Sequence, residues 1–109
     1  RIAKSKHGTI NSHTAVTGAT SGTSSTLGTI GWYGSDGNDF DNGAAAITVK
    51  ASTNASSNSV SGRMVFATSA SGNTWTDRMT IAHDGMVGIG TEVPSNMLQI
   101  RGGNGNQFS

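Results

Sequence analysis

The sequence predicts an all-β protein made of short antiparallel strands and hairpins. Val, Ile and Thr together supply 27 of the 109 residues, whereas Leu occurs only twice. β-branched side chains are stiff at χ1 and suit strands better than helices. Gly, Ser, Thr and Asn supply 54 residues, which makes the chain polar and dense in turns. This composition excludes a helical bundle, a coiled coil and a Leu-rich α/β enzyme.

The expected core is thin. Leu, Ile, Val and Phe number 18, and the net charge is +1. So few large apolar residues signal disorder only when the net charge is high, and we therefore expect a folded chain. Because its core is thin, we expect it to bury further surface against identical partners or stacked repeats. The small charge predicts no nucleic-acid partner, and the lack of a long apolar run predicts no membrane insertion. The lack of Cys excludes disulfides.

Three parts are predicted along the chain. Residues 1–28 form a Ser/Thr/Gly-rich extended arm or loop, residues 29–93 a β domain, and residues 94–109 a turn and short strand leading into the next segment. The strand predicted at 44–53 alternates with period two and places Ala45, Ile47, Val49 and Ala51 on one face. The strand predicted at 63–67 is apolar on both faces, so we expect both to be covered.

The stretch 78–91 predicts a β-hairpin whose loop length decides the strand register. A loop of two residues would pair Ile81 with Gly88, and a loop of three would pair Ile81 with Val87. The longer loop is favoured because it collects four apolar side chains on one face, with Gly85 in the left-handed position that such loops need. The four side chains are those of Met79, Ile81, Val87 and Ile89.

Gly88 and Gly90 then form a stripe without side chains on the opposite face of the hairpin. Such a stripe lets another backbone approach closely. The residues assigned to core or trimer packing are Ile47, Val49, Met64, Phe66, Met79, Ile81, Val87, Gly88, Ile89 and Gly90.

Several segments resemble bacteriophage tail-fibre and tailspike proteins. DRMTI at 77–81, DGMVGIGT at 84–91 and PS at 94–95 resemble the signature "ERMRI…GNVGIGT…SP" of this family. TLGTIGWYGSDG at 26–37 and RMVFAT at 63–68 are similar to its "TLGRI-x-F-x-GYDG" and "RLVFSTT" segments. In the family, the signature often lies just upstream of a self-cleaving, endosialidase-type intramolecular chaperone.

The resemblance implies a fibrous, intertwined homotrimer in a phage tail appendage, located on the virion. Three identical chains around an axis would supply the missing burial. The function implied is a structural component of the shaft or distal region that supports host recognition, together with other phage tail proteins. The alternative is a glycan-binding receptor-recognition module at the fibre tip, with a host surface glycan as partner. The least favoured interpretation is that the chain is part of a polysaccharide depolymerase.

Aromatic residues near polar turns suggest a glycan site, because such rings are amphipathic platforms. The competing interpretation makes Trp32 and Trp75 large fillers of a core or interface. The candidate glycan-binding residues are Trp32, Tyr33, Asp36, Asn38, Asp39 and Trp75.

We expect no enzymatic activity, no catalytic residue, no metal and no cofactor. The chain has no G-x-S-x-G motif, and its three histidines lie in unrelated contexts. The carboxylates lie in Gly/Asn turns, where Asp serves turn geometry. A calcium loop starting at Asp36 fails on spacing, because Ile47 occupies the twelfth position, where Glu is needed.

Overall fold

A computed structural model describes residues 26–55, 58–72 and 74–103, and the backbone of 105–108. These residues form one seven-stranded sheet in which the spatial order of the strands follows their order in the chain. The strands are β1 (Thr26–Gly34), β2 (Asn42–Ala51), β3 (Gly62–Ser69), β4 (Trp75–Ile81), β5 (Val87–Ile89), β6 (Leu98–Gly102) and β7 (Gly105–Phe108). The described ranges contain no helix, so the predicted all-β class is confirmed.

The predicted boundaries of the three parts differ from the strands. Residues 26–28, predicted as the end of the arm, belong to β1, and the rest of the predicted arm lies outside the described residues. The predicted boundary at 93/94 marks no change of structure, because β6 and the unpredicted β7 extend the same sheet.

One pairing departs from the predicted antiparallel architecture. β5 and β6 are parallel, whereas every other neighbouring pair in the described sheet is antiparallel. Only residues 90–97, here called the crossover, connect the two strands. Parallel neighbours usually need a connection of a dozen or more residues, so this crossover is short.

The hairpin between β4 and β5 has the predicted register. Ile81 pairs with Val87, and the backbone N–H of Ala82 donates to the carbonyl of Met86 at 2.9 Å, which closes a three-residue loop. Gly85 has a φ of +88°, the left-handed conformation predicted for it. The prediction is confirmed because the apolar alternation and the glycine position both required this loop length.

Large apolar side chains collect on one face of the sheet, which we call the apolar stripe. Because directly paired residues share a face, the register aligns these side chains in two rows across the strands. The first row contains Ile30, Ile47, Phe66, Met79, Ile89 and Ile100; the second contains Val49, Met64, Ile81, Val87 and Leu98. Ile30, Met64 and Ile89 remain 56%, 39% and 41% exposed. In the single chain, the stripe side of β3 is therefore only partly covered.

The other face, which we call the polar face, is covered by the crossover. Val65 of β3, Thr80 of β4 and Gln99 of β6 lie there in one row that passes through Gly88 of β5, at 0%, 1% and 6% exposure. From the crossover, the backbone N–H of Ser95 donates to Gln99 Oε1 at 3.0 Å, and Pro94 is buried. Small and polar side chains thus form the best-buried part of the described chain.

The two glycines predicted to admit a close backbone do so. A Cβ atom at Gly88 would overlap the carbonyl oxygen of Thr91, and one at Gly90 would overlap that of Arg101. Gly90 also has a φ of +74°. The approaching backbone belongs to the chain itself: it is Thr91 of the crossover at Gly88 and Arg101 of β6 at Gly90.

Candidate functional site

A β-bulge in β4 decides which side chains reach the polar face. Phe66 pairs with Met79, but the next residue, Ala67, pairs with Asp77, so that Arg78 is the extra residue. Strict alternation from Met79 would place Asp77 and Trp75 on the apolar stripe. The bulge moves both to the polar face, which is the re-aiming of side chains that bulges produce.

Trp75 of β4 reaches across β3 and lies over two glycines, one in β1 and one in β2. A Cβ atom at Gly31 would lie 3.1 Å from Trp75 Cη2, and one at Gly43 would lie 2.7 Å from Trp75 Nε1. The ring also contacts Tyr33, with centroids 5.8 Å apart and planes tilted by 59°. The indole N–H is buried and has no hydrogen-bond partner. Glycines at 31 and 43 therefore create the space that the indole occupies.

A cleft of about 710 Å³ opens beside Trp75 on the polar face, and we call it the polar cleft. Its lining comprises Lys50, Trp75, Thr76, Asp77, Arg78, Thr80, Gly90, Thr91 and Glu92. Lys50 Nζ lies 3.1 Å from Asp77 Oδ2, and both side chains are about one quarter exposed. The cleft thus combines one aromatic wall with charged groups and hydroxyls.

The crossover supplies the far wall of the polar cleft through Thr91 and Glu92. Glu92 Oε2 lies 3.6 Å from a terminal nitrogen of Arg63, whose side chain is 3% exposed. Arg78 also lines the cleft, but its Nε donates at 2.9 Å to Thr68 Oγ1, which lies two residues after Phe66 and therefore on the side of the apolar stripe. The ion pair of Glu92 with Arg63 ties the crossover to β3 beside the cleft.

The carboxylates of the β1–β2 turn stabilise that turn. Asp36 Oδ1 accepts the backbone N–H of Asn38 at 2.8 Å and that of Asp39 at 3.1 Å. The backbone N–H groups of Asp39 and Asn38, in that order of effect, lower the pKa of Asp36 below its usual range. Asp39 Oδ1 accepts the backbone N–H of Asp41 at 3.0 Å. This is the turn role that Asp commonly takes.

The structure brings together only part of the predicted glycan site. Tyr33 and Trp75 meet, and with Asp41 and Gly43 they line a smaller cleft of about 280 Å³. Trp32 pairs with Ala45 beside the apolar stripe and is 50% exposed, so it lies on the opposite face.

Several cleft residues were missed as binding residues. For Lys50, the signal in the sequence was the period-two pattern of 44–53, which places it on the face away from Ile47. Asp77 and Glu92 were not singled out as binding residues from the sequence. The bulge at Arg78, which turns Asp77 toward Lys50, has no marker such as glycine in the sequence.

Two further features are absent from the described ranges. No group of three or more His, Asp or Glu side chains comes together as a metal site there. Nor does any helix in those ranges have the length and hydropathy to cross a membrane.

Comparison with known proteins gives no match for this chain, either to a protein-family model or to a curated protein. The likeness to phage tail fibres therefore rests on the residues quoted above.

Proposed function

We propose that the chain is a structural segment of a phage tail fibre or tailspike, in which three copies pack their apolar stripes around a common axis. The observation that carries the proposal is the apolar stripe itself. In the described residues, Val65 is the only large aliphatic side chain among the buried core residues, whereas the stripe collects most of the others on one open face.

The size of the stripe supports an interface. Strands lie about 4.8 Å apart and same-face neighbours along a strand about 6.8 Å apart, so one row of six residues and one of five cover roughly 360 Å². The largest apolar patch on a typical monomer is about 300–600 Å² and is often functional. An area of this size on each of three copies fits a shared core.

The direction of the stripe supports a fibre. Because the strands follow one another in chain order, the backbone advances along the hydrogen-bonding direction of the sheet. Six strand intervals of about 4.8 Å give an advance of roughly 29 Å. The stripe runs in the same direction and is narrow across it. Three such bands can therefore pack around an axis parallel to their length, with β-strands perpendicular to that axis.

The placement of the two faces supports the same assembly. The crossover already covers the polar face, so the apolar stripe is the face that a partner would cover. Identical copies are the partner that closed symmetry supplies most simply. The sequence resemblance of the β4–β5 hairpin supplies the phage context, a virion appendage joined to other tail proteins. In this role the chain performs no chemistry and needs no cofactor.

The oligomeric state tests the proposal. Sedimentation equilibrium should give three times the chain mass of 11.1 kDa. Ile30→Lys should abolish the trimer, because each copy would bring an ammonium group into the shared apolar core. Val60→Lys is the matched control, because Val60 is also 56% exposed but lies outside the stripe.

The control should remain trimeric, since its side chain faces no partner in the proposed assembly. A wild-type chain that sediments as a folded monomer would refute the proposal. So would a trimer that tolerates Ile30→Lys as well as it tolerates Val60→Lys, because the interface would then lie elsewhere.

A further inference from the structure

We infer that the polar cleft is a binding site for a neutral saccharide, and that Trp75 and Asp77 are its main contacts. This inference does not depend on the proposed trimer. The cleft lies on the face opposite the apolar stripe, so it is open in a single chain and stays open when the stripe is covered.

The first observation is the aromatic wall. The cleft is lined by Trp75, part of whose ring rests over Gly31 and Gly43. The apolar face of a sugar ring packs on such an indole while its hydroxyls reach polar groups around the rim. Tyr33 contacts Trp75 from the side and limits its movement. A fixed aromatic ring loses little conformational entropy when a ligand binds.

The second observation is the balance of charge. Four charged residues line the cleft: Lys50, Asp77, Arg78 and Glu92. Lys50 faces Asp77 and Glu92 faces Arg63, so the carboxylates already have cationic neighbours. A charged ligand would have to break these pairs. Hydroxyl groups can instead donate to the carboxylates and accept from the cations, and hydrogen bonds to charged groups are the stronger ones.

The third observation is that the cleft is formed before any ligand arrives. Its floor includes Thr80, which is 1% exposed, and its rim includes Gly90 and Thr91 of the crossover. Gly90 holds a φ of +74° against the Arg101 backbone, which anchors the rim. The volume of about 710 Å³ lies within the usual range for small-molecule sites. A short oligosaccharide fits this size better than a single sugar.

The experiment uses the full chain and the two indole N–H signals in a ¹H–¹⁵N spectrum. Trp32→Phe assigns them, because the chain has only two tryptophans. The probes are neutral trisaccharides of glucose, galactose, mannose and rhamnose, each titrated to about 10 mM, with 3′-sialyllactose as the acidic probe. We expect at least one neutral probe to shift the Trp75 signal with a Kd of roughly 0.1–1 mM, and the Trp32 signal to stay in place.

Two variants test the polar contacts. Asp77→Asn keeps the shape of the side chain and should weaken binding of that probe by about tenfold, since a hydrogen bond to a charged group is lost. Lys50→Met, which keeps the aliphatic stem, should also weaken it and serves if Asp77→Asn fails to fold. The control is Asp84→Asn, the same chemical change on the exposed β4–β5 turn, and it should leave the Kd unchanged.

Four results would overturn the inference. One is that no neutral probe moves the Trp75 signal, and another is that a probe moves only the Trp32 signal. The third is that 3′-sialyllactose alone binds, and the fourth is that neither Asp77→Asn nor Lys50→Met changes the affinity. Repeating the titration with Ile30→Lys separates the two proposals, because binding should persist at the same Kd in a chain that no longer forms trimers.

Discussion

Gly88 lies where β5 passes under the crossover, and adding one methyl group there should lift the crossover from the polar face. A Cβ atom at this position would lie 3.0 Å from Thr91 Cγ2 and would overlap the Thr91 carbonyl oxygen. Such overpacking costs about 1–3 kcal/mol of unfolding free energy. The displacement would also strain the hydrogen bond between Ser95 and Gln99 and admit water to Thr80.

Gly62→Ala is the matched substitution for Gly88→Ala. Gly62 also lies in a strand, but a Cβ atom there would be 3.7 Å from the Lys50 carbonyl oxygen, which is ordinary contact. Without a clash, Gly→Ala in a strand raises stability by about 0.5–1 kcal/mol through the unfolded chain. The same gain applies to Gly88→Ala, so the two variants should differ by the overpacking cost of about 1–3 kcal/mol. For a chain of this size that corresponds to a Tm difference of roughly 4–24 °C.

The assay is thermal unfolding followed by circular dichroism, at equal chain concentration because association makes Tm depend on concentration. Gly88→Ala should unfold at a lower temperature than wild type, and Gly62→Ala at the same or a higher one. Equal Tm values for the two variants would mean that the crossover does not rest on β5, and the covered polar face would have to be abandoned.

Two further predictions concern turns. Gly85→Val should destabilise the β4–β5 hairpin by about 1–2 kcal/mol, because Gly85 has a φ of +88°. Gly85→Asn should cost less, since Asn adopts the left-handed conformation more readily. Equal losses of unfolding free energy in urea would contradict the left-handed conformation of residue 85. The lowered pKa of Asp36 means that its contribution to the turn is present at pH values above the unfolded pKa of about 3.9 and is lost as the pH falls through the folded pKa. The amide signals of Asn38 and Asp39 should accordingly titrate with a midpoint below 3.9 in NMR spectra, and a midpoint at or above that value would exclude the two hydrogen bonds.

The β4–β5 hairpin could be predicted from the sequence because two independent signals agreed. The apolar alternation on both sides of the loop required Ile81 to face Val87, and the only glycine in the loop, Gly85, occupied the position that needs a positive φ. The turn role of Asp36 could also be predicted, since Asp next to Gly, Asn and Ser commonly accepts hydrogen bonds from the backbone of its own turn. Such features depend on neighbours within a few residues.

The polar cleft could not be predicted in the same way, because it depends on a bulge and on a parallel pairing. Without the extra residue Arg78, alternation would put Trp75 and Asp77 on the apolar stripe. Likewise, a connection of eight residues ordinarily indicates a turn between antiparallel strands, so the parallel β5–β6 pair was missed. Both features are decided by contacts between distant segments.

The polar composition and the thin core are explained by the same division between faces. The crossover can lie close to the sheet only where side chains are small, and Thr80 and Gly88 meet this requirement beneath it. The large apolar residues are then confined to the opposite face, where a single chain has little to cover them. Burial on that face must come from association, so folding of the sheet and assembly of the copies should be energetically coupled. The polar face carries no such requirement and is therefore free to hold a ligand site.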